Sequence, residues 1–162
     1  MSEYRRRILG LLADRNPITV LSETPKQLEA MTAALLERSE QSYAPGKWTA
    51  RELLCHLTDA ELGIGFRLRQ IVAGVETIQP FDQDAWVSQN KKLPLELALN
   101  TLLALRAWNL AWLRGLDKSV WERKYHHPER GEETFGVAVR LLAGHDLNHL
   151  GQLEQISAQP TP

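Results

Sequence analysis

The chain has 162 residues, 43% hydrophobic and 24% charged, which fits one soluble globular domain spanning 1–162. Nineteen Lys and Arg residues oppose 20 Asp and Glu residues, and the formal net charge of -1 disfavours nucleic acid and anionic membranes as partners. The single Cys55 excludes an intramolecular disulfide, and no apolar run approaches the roughly 18 residues of a membrane span or resembles a signal peptide. We therefore expect a cytoplasmic protein.

Helical periodicity dominates the first half of the chain. A short helix is predicted before residue 14, and a first long helix from about Ser22 to Glu40, with Pro25 near its first turn. The second long helix opens at Thr49 and Glu52, which have the spacing of a capping box, and its apolar stripe continues toward Gly74. Both helices have the amphipathic pattern of bundle helices.

The second half begins with a long connection over about 75–93, which contains Pro80 and has no sustained period beyond one short turn of helix. A Leu- and Ala-rich third helix is predicted from Pro94 to about Gly115. After a polar stretch, Thr134 is positioned to cap a fourth helix that ends before Pro160. No convincing alternation predicts a strand, so the expected fold is all-α, a four-helix bundle.

The strongest chemical signal is the HDLNH segment of the fourth helix. His145 and His149 are four residues apart, which places both imidazoles on one helix face about 6 Å apart, close enough to share a metal ion. The same face carries Leu141, Leu142, Leu153 and Ile156, so both histidines are predicted to point into the bundle. The alternative is two core histidines that hydrogen-bond to polar neighbours.

HDLNH also differs by one residue from the HExxH motif of zinc metalloproteases. Asp146 occupies the position of the general-base Glu and is one methylene shorter. No histidine follows His149, so the extended motif with a third downstream ligand is absent. A protease is therefore disfavoured.

A third ligand must come from another element. His56 lies on the apolar side of the second helix and is the best candidate. His126 and His127 compete, but they lie beside Pro128 in a polar loop, where an exposed pair is the ordinary expectation. One of these two could still line the entrance to a site.

Together these segments resemble the DinB/YfiT-like metalloenzyme family. The resemblance rests on Trp48 and Thr49 opening a helix, on His56 followed by Leu57 and the run from Asp59 to Glu61, and on the C-terminal HDxxH; it covers about 48–155. It implies a variant of the up-and-down four-helix bundle with a long link between helices two and three. It also implies a homodimer and a metal ion on three histidines, which here are His56, His145 and His149.

Three neutral imidazoles leave a divalent ion with an open position for water or a thiol. The predicted function is therefore a metal-dependent enzyme of small-molecule chemistry, either thiol transfer or hydrolysis. Imidazole suits Zn and Ni, with Fe and Mn as further candidates, and the resemblance adds a low-molecular-weight thiol as a co-substrate. The alternative is a non-catalytic, stress-related bundle that binds metal or a partner.

Several polar residues are candidates for supporting roles. Asp82 and Asp84 in the long connection, and Asp59 one turn after His56, are candidate catalytic residues, although loop capping for the first two and solvation for Asp59 are the more common explanations. Gln152, three residues after His149, is placed to fix the orientation of that ligand.

Two further groups receive simpler interpretations. Arg67 and Arg69 could hold a substrate carboxylate, but a charged outer helix face explains them with less effort. Leu105, Trp108 and Trp112 fall at helical spacing and are interpreted as core or dimer interface.

Overall fold

The structure is a computed structural model that describes residues 3–90 and 92–161. Within these residues the elements in chain order are α1 (Glu3–Leu12), α2 (Pro17–Glu37), α3 (Ala50–Val72), α4 (Gln83–Gln89), α5 (Leu95–Arg114), a 3-10 turn (Lys118–Glu122), β1 (Lys124–His127), β2 (Gly131–Thr134) and α6 (Phe135–Ser157). The four long helices, α2, α3, α5 and α6, form a bundle, which confirms the predicted fold class. None of the described helices combines the length and apolarity that crossing a membrane requires.

The start of the first long helix was predicted wrongly. The helix begins at Pro17, five residues before Ser22, because Asn16 caps it with a side-chain oxygen that accepts from two backbone N–H groups. Pro17 stands at the first helical position, where its missing N–H has no cost. Pro25 therefore lies inside the helix and not at its first turn.

The interior Pro25 removes a donor from α2, and another helix replaces it. Pro25 has no N–H to donate to the carbonyl of Leu21, four residues earlier. The guanidinium of Arg106 on α5 donates to that carbonyl at 3.1 Å. The carbonyl is therefore paired, and α2 continues through the proline.

Helices α3 and α6 begin where their caps predict. Thr49 and Glu52 form both hydrogen bonds of a capping box at the start of α3. Thr134 accepts from the backbone N–H of Val137 at the start of α6. The long connection contains one short helix, α4, whose N-cap is Asp82.

A β-hairpin, which no pattern in the sequence predicts, precedes α6. The strand β1 pairs antiparallel with β2, with Lys124 opposite Thr134 and His127 opposite Gly131. Gly131 has a φ of 79°, which favours glycine at this turn. Each strand has four residues, and in β1 only Tyr125 and His127 are buried, so the alternation is too short to recognise in the sequence.

The packing order of the helices differs from their sequence order. The main partners of α3 are α5 and α6, and those of α2 are α6 and α5. In a bundle whose successive helices are neighbours, the second and fourth long helices would lie on a diagonal. Here α3 and α6 are neighbours, which brings His56 into contact with the HDLNH segment.

Polar side chains separate two apolar clusters inside the bundle. One cluster contains Leu35, Leu54, Leu99 and Leu153, and the other contains Leu21, Ile71, Leu113 and Phe135. Each long helix contributes at least one buried polar residue to the interior: Thr24, His56, Glu61, Arg106, Asn109, His145, Asp146 and His149. The candidate site belongs to this central layer.

Candidate metal centre

Three histidines meet between α3 and α6. His56, His145 and His149 are 1%, 8% and 6% exposed, and one candidate ligand atom from each lies within 4.8 Å of the others. Their ring centroids are 4.4–4.8 Å apart. The structure thus brings together the three residues that the sequence selected, and we call them the histidine cluster.

The contacts inside the histidine cluster leave nitrogen atoms unpaired. Nε2 of His56 lies 2.8 Å from Nε2 of His145, a distance at which the two nitrogens share either a hydrogen or a cation. Nδ1 of each ring is buried and has no hydrogen-bond partner among the described residues. Buried polar atoms are normally paired, so this pair is poorly satisfied by the protein alone.

Gln152 fixes the protonation pattern of His149. Its Oε1 lies 2.7 Å from Nδ1 of His149, and an amide oxygen only accepts, so Nδ1 carries the hydrogen. The amide nitrogen of Gln152 donates in turn to the hydroxyl of Tyr43 at 3.1 Å. Nε2 of His149 is therefore the nitrogen with the free lone pair, as the sequence position of Gln152 suggested.

Burial keeps all three rings neutral. It lowers the pKa of His56 to about 3, with a smaller contribution from His149. Burial also lowers the pKa of His145, helped by His149, His56 and Arg106, and that of His149, where the bond to Gln152 opposes the shift. Neutral imidazole is the form that binds metal ions.

The histidine cluster fits a divalent cation. Imidazole nitrogens bound to one zinc-like ion at about 2.1 Å would be roughly 3.0–3.4 Å apart in octahedral or tetrahedral arrangements. The 2.8 Å between the Nε2 atoms of His56 and His145 is within a few tenths of an ångström of that range, and the candidate ligand atoms of all three rings lie within 4.8 Å of one another. Trp48 covers the cluster, with its ring centroid 4.7 Å from that of His56.

A cavity of about 750 Å³ opens beside the histidine cluster. His56 and His145 line one part of it, and its volume suits a small organic ligand. Much of the remaining wall is apolar, and the side chains that form it include Ile8, Ala60, Ile64, Leu68, Ile71 and Ile78.

Two parts of the wall were not predicted as parts of the site, although His126 or His127 was a candidate for the entrance. Helix α1 contributes Tyr4, Arg5 and Ile8, and the hairpin contributes Tyr125 and His127 with its turn residues. His126 is exposed as expected, but the expectation of exposure was wrong for His127, which is 1% exposed and lines the cavity. Neither part has a recognisable motif, so the tertiary structure identifies α1 as wall and selects His127 over His126.

The hairpin wall is held by a buried carboxylate. Glu133 accepts from Arg130 at 2.9 and 3.1 Å, from the hydroxyl of Tyr125 at 2.5 Å, and pairs with Arg5 at 3.1 Å. Although burial opposes its charge, these donors lower the pKa of Glu133 below its ordinary value. The carboxylate therefore links α1 to the hairpin.

The three candidate catalytic aspartates occupy different surroundings. Asp82 lines the cavity, but one of its oxygens caps α4 by accepting from the N–H groups of Asp84 and Ala85. Asp84 is exposed, and it does not belong to the described lining of the cavity. Asp59 is half-buried outside that lining, where Asn90 donates to it at 2.6 Å and burial raises its pKa.

Asp146 faces away from the histidine cluster. Arg106 donates to its two oxygens at 2.6 and 3.1 Å, and the hydroxyl of Thr24 donates to it at 2.8 Å. Arg106 also donates to Glu61, which accepts from Asn109. We call these five residues the ion network. Because Asp146 is committed to this network, it is not available as the general base of a protease.

The two arginines of α3 and the three apolar residues of α5 that the sequence singled out lie in different surroundings. Arg67 lines the cavity, so its outer-face interpretation was wrong, whereas Arg69 stacks over Trp112 at 4.4 Å and donates to Asn109. Trp108 is 70% exposed and is therefore not a core residue. Leu105 and Trp112 are partly buried.

The fold and the site define a four-helix bundle protein with a buried three-histidine cluster. Residues 18–153 match the model of the DinB superfamily, and the chain belongs to this family. A relative from Oceanobacillus iheyensis, named "Putative metal-dependent hydrolase", is 30% identical over 122 residues, which cover 74% of this chain and 71% of the relative.

Two further similarities extend over more of the chain. A Bacillus cereus relative of the same name is 26% identical over 156 residues, which cover 94% of this chain and 90% of the relative. The solved structure of YfiT from Bacillus subtilis is described as "a probable metal-dependent hydrolase with an unusual four-helix bundle topology". It is 25% identical, with a TM-score of 0.80 over 87% of this chain and 83% of YfiT.

Proposed function

We propose that this chain is a divalent-metal-dependent enzyme that acts on a small molecule, with His56, His145 and His149 as the metal ligands. The observation that carries the proposal is the convergence of three buried, neutral imidazoles beside a cavity of about 750 Å³. The names of the relatives support metal dependence. A purely structural site would need neither the cavity nor an open coordination position.

A divalent ion bound by three imidazoles would supply a Lewis acid that lowers the pKa of a water or thiol in its open position. The chain's own residues prepare this chemistry. Gln152 holds His149 with its lone pair available, and burial keeps the three rings unprotonated at neutral pH. The ring of Trp48 packs over His56 and limits access of water from that side.

Hydrolysis is the first reaction proposed, because the relatives are named as hydrolases. Thiol transfer is the second, since the cavity is larger than one water molecule needs and could admit both a small thiol and its electrophile. Zn and Ni are the proposed ions, with Fe and Mn as further candidates, because imidazole ligands suit several of these ions.

Elemental analysis of untagged protein tests the metal proposal. About one divalent ion per chain is expected in the wild type, and His149→Ala should lose it while circular dichroism still reports a folded helical protein. His126→Ala is the matched control, since His126 is an exposed histidine outside the cluster. Failure of the wild type to take up Zn, Ni, Mn or Fe would refute the proposed function.

An activity screen then separates the two reactions. Ester and amide substrates report hydrolysis, and a low-molecular-weight thiol with an alkylating electrophile reports transfer. Turnover should disappear in His149→Ala and persist in His126→Ala. A metal-loaded protein with no turnover in either arm would favour a non-catalytic, metal-binding bundle.

A further inference from the structure

We infer that the cavity binds a substrate with an anionic end, a carboxylate or a phosphate, and that Arg67 is the residue that anchors it. This inference rests on the proposed function, because it names the class of substrate for the same site. It assigns the histidine cluster to the reacting end of the substrate and the arginine to the distant end.

The guanidinium of Arg67 is only partly hydrogen-bonded within the protein. Its Nε donates to the carbonyl of Gln79 at 2.8 Å, and its guanidinium lies 4.6 Å from the ring centre of Phe81. The structure gives its terminal nitrogens no ion pair or hydrogen bond with any described residue. A half-buried guanidinium with free donors in a cavity wall is suited to a bidentate oxyanion.

The neighbours of Arg67 add to the positive charge. Burial lowers the pKa of Arg67, and the nearby Arg130 lowers it further, whereas Tyr125 and Glu129 act in the opposite direction. Arg130 is paired with Glu133, but that one carboxylate also serves Arg5. The same cavity lining therefore holds Arg5, Arg67 and Arg130.

The acidic residues of the wall make no ion pair with Arg67 in the described part of the chain. Asp82 caps α4 with one oxygen. Glu129 is exposed and makes no ion pair with Arg67 in the described part of the chain. An anionic ligand would therefore meet a guanidinium that has open donors.

The distance along α3 sets the shape of the ligand. Arg67 follows His56 by 11 positions, which corresponds to about 16 Å along a helix axis. Between them Ala60 and Ile64 line the cavity, together with Ile8 from α1 and Leu141 from α6. The cavity therefore suits an elongated molecule with an apolar middle and an anionic end.

Calorimetry with three eight-carbon probes tests the anchor: octanoate, octyl phosphate and octanamide. The first two carry the proposed anion, and the neutral amide has nearly the same length. We expect the better anion to bind wild type at least about tenfold more tightly than octanamide, because charge-assisted hydrogen bonds add about that much affinity. The tighter of the two anions identifies carboxylate or phosphate as the preferred group.

Substitutions at Arg67 and Arg69 test where the anion binds. Arg67→Gln should remove the preference for the anion and leave octanamide binding unchanged, and Arg67→Lys should retain part of it. Arg69→Gln is the matched control, since it loses the same charge two residues along α3 from a side chain outside the cavity lining. Far-ultraviolet circular dichroism establishes that each variant is folded.

His149→Ala separates this inference from the proposed function. If the anion binds at Arg67, its preference survives in this variant, whether or not the protein binds metal or turns over a substrate. Loss of the preference in His149→Ala but not in Arg67→Gln would place the anion at the histidines and overturn the anchor. An equal affinity of wild type for all three probes would overturn it as well.

Discussion

Two buried polar clusters lie next to each other in the centre of the bundle, and they differ in how their atoms are paired. In the ion network, Arg106 donates to Glu61, to Asp146 and to the carbonyl of Leu21. In the histidine cluster, Nδ1 of His56 and of His145 has no partner among the described residues.

This difference separates a structural role from a functional one. A buried network with every member paired connects helices and selects one arrangement of them. A buried cluster with free lone pairs contributes less to stability but can bind a ligand. His145 and Asp146 are adjacent in sequence and belong to different clusters, because successive side chains on a helix point about 100° apart. The same turn of α6 therefore serves both roles.

Arg106→Met breaks the ion network and should have the largest effect. It leaves two carboxylates buried without their cation, and the expected loss is about 3–5 kcal/mol in the free energy of unfolding measured by urea denaturation. Arg114→Met is the control, because Arg114 is exposed at the end of the same helix and contacts Ser22. The control should lose less than about 1 kcal/mol, and a similarly small loss for Arg106→Met would contradict the assigned role.

Adding metal should raise the free energy of unfolding through the histidine cluster, whereas the Arg106 substitution lowers it. At a free Zn or Ni concentration of 100 times the dissociation constant, binding should raise the free energy of unfolding by about 2.7 kcal/mol. Thermal unfolding with metal and with a chelator measures the effect. His149→Ala should show no shift and His126→Ala the wild-type shift; equal shifts in both variants would place the metal elsewhere.

Gln152→Leu tests how the orientation of His149 is maintained. Removing the acceptor for Nδ1 of His149 should weaken metal binding by about 10–100-fold, as measured by competition with a chromophoric chelator. Gln155→Leu is the control, since Gln155 is exposed on the same helix. If both variants bind metal like wild type, Gln152 does not orient the ligand.

Gly144→Ala changes the packing of α1 against α6 without replacing a side chain of either cluster. It should have the smallest effect on the free energy of unfolding. A Cβ at Gly144 would meet the backbone carbonyl of Ile8, so α1 must move away from α6. Overpacking costs about 1–3 kcal/mol, and the better helix propensity of Ala offsets up to about 1 kcal/mol.

Gly151→Ala provides the comparison for that substitution. Its Cβ would meet no atom within 4 Å, so this variant should be neutral or slightly stabilised. Amide hydrogen exchange in α1 should rise only in Gly144→Ala. Unchanged protection of α1 in both variants would show that Gly144 does not govern the packing of α1.

The sequence by itself determined most of the long helices and selected the three histidines that meet in the structure. Apolar periodicity and the caps at Thr49 and Thr134 are local signals, so α3, α5 and α6 were predicted close to their observed ends. The spacing of His145 and His149 is also local, because one helix turn places both rings on one face. His56 was selected by the apolar side of its helix and by family resemblance, and the structure places it against the other two.

Only the tertiary structure decided what surrounds the histidines. The packing order of the helices makes α3 and α6 neighbours. It also places Asp146 against Arg106 and away from the histidine cluster. It also brings α1 and the hairpin to the cavity and turns Arg67 toward it. These contacts join residues far apart in sequence, and each local segment is equally compatible with a solvated surface. The contacts form only when the helices pack against each other.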